Sequence, residues 1–163
     1  NSGKVIVSDG TIKSESRPAI EIYQTNNSFI MTGGRIETSN NSAIYVTSDA
    51  TGSVVIGNSG NAVSIQSPVI QGAIYAVDSA NGFEFYDGIL KGQTAAYSGD
   101  INKKASGCEV IHDVERIDEN TEYKTAYLAS YLMSRAIQGI YDDQGNLIDH
   151  ESKYILPFLK ICP

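Results

Sequence analysis

The segment Ser42-Ala43-Ile44-Tyr45-Val46 has two close counterparts in the chain, Ala19-Ile20-Glu21-Ile22-Tyr23 before it and Ala73-Ile74-Tyr75-Ala76-Val77 after it. The first counterpart lies 24 residues upstream, and Ile12 and Ile36 are separated by the same 24 residues. Self-similarity at a fixed period of this size is typical of a solenoid, in which each repeat is one structural unit stacked on the next. The repeat therefore predicts the architecture of the chain.

Each repeat reads as three short strands separated by corners that contain Gly, Asn or Pro. Apolar residues alternate within these strands, so every second side chain points inward. The inward positions form three columns: Val5, Phe29, Val54 and Phe83 in the first, Ile12, Ile36 and Leu90 in the second, and Ile20, Ile44, Ile74 and Ala96 in the third. The pattern predicts a mainly β chain that forms a right-handed parallel β-helix of about four coils over residues 1–101.

Residues 102–163 form a second predicted domain that caps the last coil. Residues 109–117 and 123–128 are two strand-like runs joined by a polar turn, which predicts a β-hairpin. Apolar residues recur at helical spacing over residues 129–140, which predicts an amphipathic α-helix, and residues 154–159 form an apolar tail. Caps are expected because both ends of such a stack are open sheet edges.

Composition and charge exclude several classes of partner. The formal charge is −7, and no cluster of Lys and Arg provides the basic footprint that nucleic acids and anionic membranes require. No apolar run reaches the length of a membrane span, so we expect no membrane insertion. Abundant Gly, Ser, Thr, Asn and Tyr without Trp favours an extracellular or cell-surface location. Cys108 and Cys162 fit either a disulfide or two buried thiols.

One outward column provides the candidate binding site. The residue after each inward position of the third strand reads Glu21, Tyr45, Tyr75 and Tyr97 from unit to unit. Three exposed rings spaced by about 4.8 Å would form a platform for a glycan, with the apolar faces of the sugars packed on the rings. The alternative is that the helix predicted over residues 129–140 docks on this stripe and covers it.

The charged outward positions do not predict catalysis. The position after the second inward column reads Lys13, Glu37 and Lys91, and Lys13 and Glu37 are expected to form a cross-strand ion pair. A glycosidase needs two facing carboxylates, and a calcium-dependent lyase needs a carboxylate cluster beside a base. The sequence therefore predicts no catalytic residue, no metal site and no cofactor.

The segments 31–36, 42–46 and 85–92 resemble the "Gly-Gly-x-Ile … Ala-Ile-Tyr" β-helix repeats in surface proteins of Gram-positive bacteria. The resemblance covers about residues 3–101 and implies a non-catalytic structural or adhesive module of an exported surface protein, with a glycan, another copy of the chain or a neighbouring domain as partner. Carbohydrate-active enzymes of the polysaccharide lyase or glycosidase type share this general fold, so an enzyme is one alternative. A self-assembly module is the other.

Overall fold

The structure is a computed structural model that describes residues 3–23, 26–59 and 67–128. Strands account for 51% of these residues, and none of them lies in a helix. The prediction of a mainly β chain is confirmed. The helix predicted over residues 129–140 and the apolar tail at 154–159 lie outside the described residues.

The first twelve strands recur in groups of three, which we call coils 1 to 4. Coil 1 contains β1 (Lys4–Val7), β2 (Thr11–Ser14) and β3 (Ile20–Ile22). Coil 2 contains β4 (Ser28–Met31), β5 (Arg35–Thr38) and β6 (Ile44–Val46). Coil 3 contains β7 (Ser53–Ile56), β8 (Val69–Gly72) and β9 (Val77–Ser79). Coil 4 contains β10 (Phe83–Phe85), β11 (Ile89–Gly92) and β12 (Tyr97–Ser98). The remaining strands of the described residues are β13 (Ile101–Lys104), β14 (Val110–Arg116) and β15 (Glu122–Leu128).

Strands at the same place in successive coils pair in parallel and build three sheets. Sheet A has the order β1-β4-β7-β10-β13, sheet B the order β2-β5-β8-β11-β15-β14, and sheet C the order β3-β6-β9-β12. Each coil thus contributes one strand to every sheet, an arrangement consistent with a β-helix-like fold. Strand β13, which the sequence pattern did not predict, extends sheet A by one parallel strand on β10.

The predicted hairpin is confirmed. Strands β14 and β15 pair with each other in antiparallel fashion, and β15 pairs antiparallel with β11. The hairpin therefore extends sheet B by two strands beyond coil 4. Cys108, in the segment that leads into the hairpin, is buried and disulfide-bonded. The other cysteine of the chain, Cys162, lies outside the described residues.

The first two inward columns are confirmed. In sheet A, Val5 pairs with Phe29 and Phe29 with Val54. Glu84 pairs with Val55, so the residues before them, Phe83 and Val54, also lie side by side and Phe83 continues the column. In sheet B the second column contains Ile12, Ile36, Ile70 and Leu90. Apart from Val5 and Ile12 in coil 1, these side chains are fully buried because a neighbouring strand covers each of them on both sides.

The third predicted column is correct only in its first half. Ile20 pairs with Ile44, but Ile44 pairs with Val77 and Val77 with Tyr97. The prediction that Ile74 and Ala96 continue the column is therefore wrong, and Ile74 is 39% exposed.

The cause lies in the segment Ala73-Ile74-Tyr75-Ala76-Val77, which contains an alanine followed by an apolar residue twice. The structure uses the second of these pairs. The Ile44 N–H donates to the Ala76 carbonyl, and the Ala76 N–H donates to the Ala96 carbonyl, each at 3.0 Å. In coil 3, the alanine that precedes the strand of sheet C is therefore Ala76, three residues after Ala73, the position that the sequence pattern indicated.

Glycine corners let the chain turn from sheet A into sheet B. Gly10 and Gly34 have φ angles of 86° and 83°, a left-handed conformation that residues with a Cβ adopt only at a cost. The Arg35 N–H donates to the Gly10 carbonyl at 2.8 Å, so the corners stack in register like the strands.

Candidate functional site

The three tyrosines of the predicted glycan platform do not form a column. The outward column of sheet C contains Glu21, Tyr45, Asp78 and Ser98. Tyr75 lies in the turn before β9, and Tyr97 occupies the position of the inward column. The predicted continuous stripe of exposed rings is therefore wrong, and a glycan-binding role for Tyr45 or Tyr75 stays a prediction without that geometry.

Tyr97 instead contributes to a cleft beneath the hairpin. Among the described residues, sheet C ends at β12, whereas sheet B continues past coil 4 through β15 and β14. The hairpin therefore projects beyond the last strand of sheet C and leaves a cleft of about 490 Å³, which we call the hairpin cleft. It is lined by Ala95, Ala96, Tyr97, His112, Asp113, Val114, Lys124 and Thr125.

Two rings form one wall of the hairpin cleft. The Tyr97 ring packs edge-on against Phe83 of sheet A, with ring centroids 5.4 Å apart and an interplanar angle of 75°. The His112 ring lies 5.9 Å from the Tyr97 ring at an interplanar angle of 37°. Because Phe83 is buried at 1% exposure, Tyr97 is held by the core and presents a fixed face to His112.

The Tyr97 hydroxyl is protonated at neutral pH. Burial, with a smaller effect from the Asp100 carboxylate, raises the pKa of Tyr97 above its ordinary value. Both causes disfavour the negative phenolate, the first by removing water and the second by repulsion. The ring therefore carries a hydroxyl that can both donate and accept a hydrogen bond.

Polar groups complete the lining of the hairpin cleft. Asp113 pairs with Thr125 across the hairpin, and its carboxylate accepts a hydrogen bond from the Val114 N–H at 2.8 Å. The Lys124 ammonium donates to the Glu122 carboxylate. Thr125 is buried at 3% exposure, and Val114 is 48% exposed at the rim. Because Thr125 pairs with Lys91 and Asp113 with Thr125, these two side chains lie on the outward face of sheet B, opposite His112 and Lys124. The cleft thus combines an aromatic wall with the Tyr97 hydroxyl and the Lys124 ammonium, which is the chemistry of a site for a polar ring with one apolar face.

The outward face of sheet B carries a polar network. Lys13, Glu37, Gln71 and Lys91 share one row, which confirms the predicted common position of Lys13, Glu37 and Lys91. The predicted ion pair between Lys13 and Glu37 is confirmed at 2.8 Å.

The same network extends toward the hairpin through Arg35. The Arg35 guanidinium donates to Glu37 and, at 3.3 Å, to the Gln71 side-chain oxygen. The Gln71 amide then donates to the Tyr123 hydroxyl at 3.1 Å. Hydrogen bonds from Lys13 and then Arg35 lower the pKa of Glu37, which keeps this carboxylate ionised. These groups connect coils 1 to 3 to the hairpin, and their charges already have partners.

Sheet A carries a second paired carboxylate. Glu84 accepts from the Lys103 ammonium at 2.8 Å and from the Tyr86 hydroxyl at 2.9 Å. The hydrogen bond from Lys103 is the largest cause of its lowered pKa. An ionised, paired carboxylate is a poor general acid, because that role requires a raised pKa. Glu84 therefore fits a structural role.

Within residues 3–23, 26–59 and 67–128, no group of three or more His, Cys, Asp or Glu side chains is arranged to hold a metal ion. The same residues contain no helix long and apolar enough to cross a membrane. The sequence analysis gave Tyr97 as a candidate binding residue but did not give His112 or Lys124. These two residues lie on the hairpin strands, and the sequence pattern does not show where the hairpin packs relative to β12. Comparisons with protein-family models, curated proteins and solved structures return no match to this chain.

Proposed function

We propose that this chain is a non-catalytic adhesive module of an exported bacterial surface protein, built as a right-handed parallel β-helix, that binds a glycan in the hairpin cleft. The observation that carries the glycan-binding part is the pair of Tyr97 and His112 rings on one wall of a cleft lined with polar groups. Tyr97 is one of the residues that the sequence indicated, in a different setting.

Topology supports the right-handed winding. Each strand of one coil connects through two further strands to the strand that pairs with it in parallel in the next coil. Crossover connections between parallel strands of one sheet are right-handed in about 98% of cases, because strand twist favours that hand.

The disulfide at Cys108 supports export. Disulfides persist in oxidising compartments and are rare in the reducing cytosol. The composition and the resemblance to repeats of Gram-positive surface proteins agree with this location. The proposed setting is therefore the cell surface or the extracellular space.

The chemistry of the hairpin cleft supports a sugar ligand. The apolar face of a pyranose packs on an aromatic ring, and its hydroxyls pair with carboxylate, ammonium and hydroxyl groups. Tyr97 and His112 provide the rings, and the Tyr97 hydroxyl and the Lys124 ammonium provide the polar partners. The volume of about 490 Å³ lies within the range of small-molecule sites and suits one or two sugar residues.

A glycan array with the full chain tests the proposal. The variant His112→Ala removes one ring from an exposed position on the hairpin without touching the core. Ring stacking is worth about 0.5–1.5 kcal/mol, so the affinity for the bound glycan should fall roughly 2- to 10-fold. Tyr45→Ala is the matched control, since it removes an aromatic side chain that is not part of the cleft. Failure to bind any glycan, or a loss caused by Tyr45→Ala and not by His112→Ala, would contradict this assignment.

The non-catalytic part has a separate test. Purified protein is incubated with polyuronates and neutral polysaccharides, with and without calcium, and the release of unsaturated uronates and reducing ends is measured. We expect none, because Glu37 and Glu84 are held as ionised partners of basic residues. Turnover that copurifies with the chain would show that it is an enzyme.

A further inference from the structure

The hairpin formed by β14 and β15 has one face turned toward the hairpin cleft and one turned away from it. Ala126 pairs with the buried Leu90 of coil 4, so Ala126 lies on the inward face of sheet B. Residues directly opposite each other in an antiparallel pair share a face, and side chains alternate along each strand. The cleft face of the hairpin therefore carries His112, Val114 and Arg116 on β14 and Glu122, Lys124 and Ala126 on β15.

Charge is separated between the two faces of the hairpin. Within β14 and β15, the cleft face carries the cations Arg116 and Lys124 and one carboxylate, that of Glu122. The opposite face carries two carboxylates, those of Asp113 and Glu115. The hairpin strands thus turn a net positive face toward the cleft, although the whole chain has a formal charge of −7.

The carboxylate on the cleft face is shared between the two cations. The Lys124 ammonium donates to one oxygen of Glu122, and the Arg116 guanidinium lies 3.8 Å from the other oxygen. An ammonium has three donor hydrogens, so Lys124 keeps donors for a further acceptor. The Lys124 side chain is 40% exposed, and Lys124 is part of the cleft lining. Glu122 therefore orients Lys124 without cancelling the positive charge of this face.

The other carboxylates of this region do not face the cleft. Asp113 belongs to the lining, but its side chain lies on the opposite face of the hairpin. Asp118 and Glu119 of the hairpin turn, and Asp100 between β12 and β13, are not part of the lining. Among the described residues that line the cleft, Lys124 is therefore the one charged side chain that faces it.

We propose that the glycan bound in the hairpin cleft is an acidic sugar, one that carries a carboxylate or a phosphate, and that Lys124 selects it. This inference rests on the proposed function, because it names the class of glycan for the same cleft. The apolar face of the sugar lies on the Tyr97 and His112 rings, and its anionic group accepts a hydrogen bond from the Lys124 ammonium. A neutral sugar makes the same ring contacts without the ion pair, so the charge of the sugar sets the preference.

An array of matched oligosaccharide pairs, probed with the full chain, tests the class of glycan. Each pair contains a uronate or a phosphorylated sugar and its neutral counterpart, made by reducing the carboxylates or removing the phosphates. A hydrogen-bonded ion pair at a partly exposed site predicts roughly 3- to 10-fold tighter binding of the acidic member. This preference should shrink as the salt concentration rises. Comparison of the uronate pairs with the phosphate pairs shows which anionic group the cleft takes.

Three variants assign the preference to one residue. Lys124→Gln removes the charge and should bring the ratio of acidic to neutral affinity close to one, whereas Lys124→Arg keeps the charge and should keep the preference. Lys103→Gln is the matched control, because Lys103 also donates to a glutamate, Glu84, at 2.8 Å but does not line the cleft. It should leave the preference unchanged, and urea unfolding establishes that all three variants fold.

The outcomes separate this inference from the proposed function. Equal or tighter binding of the neutral member in every pair would overturn the choice of an acidic sugar and leave glycan binding in place. A preference that persists in Lys124→Gln, or that is lost equally in Lys103→Gln, would overturn the role of Lys124. Failure to bind either member of any pair would overturn the inference and contradict the proposed function as well.

Discussion

The adjacent valines of β7 test the inward and outward faces of the coils most directly. Val54 points into the core at 1% exposure and pairs with Phe29, whereas Val55 is half-buried on the outer face and pairs with Ile30. Val54→Ala and Val55→Ala remove the same two methyl groups from the same strand. Both substitutions also change the intrinsic strand preference by the same amount, so the difference between them reports burial alone.

The expected difference follows from the two environments. Each buried methyl contributes about 0.8 kcal/mol of transfer free energy, and the cavity that remains adds a further cost. Val54→Ala should therefore lower the free energy of unfolding by about 2–3 kcal/mol. Val55→Ala exposes less apolar surface and leaves no enclosed cavity, so its cost should be about 0.5–1 kcal/mol.

Urea unfolding followed by circular dichroism measures both variants against the wild type. Equal slopes of the transitions would show that the variants differ in stability and not in the surface exposed on unfolding. Equal losses for the two variants, or a larger loss for Val55→Ala, would refute the assignment of inward and outward faces in sheet A.

Two further substitutions test a corner and an ion pair. Gly34→Ala should destabilise the protein more than Gly10→Ala, although both glycines have a positive φ. A Cβ at Gly34 would lie 2.7 Å from the backbone oxygen of Gly10, whereas a Cβ at Gly10 would have no atom within 4 Å. Equal urea midpoints would contradict this reason. Because hydrogen bonds from Lys13 and Arg35 lower the pKa of Glu37, its stabilising effect is complete above the ordinary value of 4.5 and is lost as pH falls through the lowered pKa. Wild type and Glu37→Gln should therefore differ in unfolding free energy at about pH 7 and converge in acid, whereas a constant difference would exclude this linkage.

Alternation within single strands was sufficient to predict two of the three inward columns. Ile36 is apolar between the charged residues Arg35 and Glu37, and Phe29 and Met31 are two residues apart. Because side chains alternate between the two faces of a strand, this spacing assigns the inward face without knowledge of the other strands. The ion pair of Lys13 with Glu37 followed from the same 24-residue period, because equivalent positions in adjacent coils become cross-strand neighbours.

The register of sheet C in coils 3 and 4 could not be derived in this way. Ala73-Ile74 and Ala76-Val77 are equally good local matches to the repeat, and only backbone hydrogen bonds to coil 2 and coil 4 select the second. A shift by an odd number of residues exchanges the two faces of a strand. For this reason Tyr97 packs toward Phe83 and away from the outward column in which it was expected.

The sequence by itself determined the period, the mainly β character, the first two inward columns and the hairpin, since each depends on patterns within a few residues or on one constant spacing. Only the tertiary structure decided that Val77 and Tyr97 point inward and that a cleft opens beside His112. Both depend on how many strands each sheet contains: within residues 3–23, 26–59 and 67–128, sheet B has six strands and sheet C has four, so the hairpin overhangs β12. Pairing between segments distant in the chain sets these numbers, and a local pattern carries no information about it.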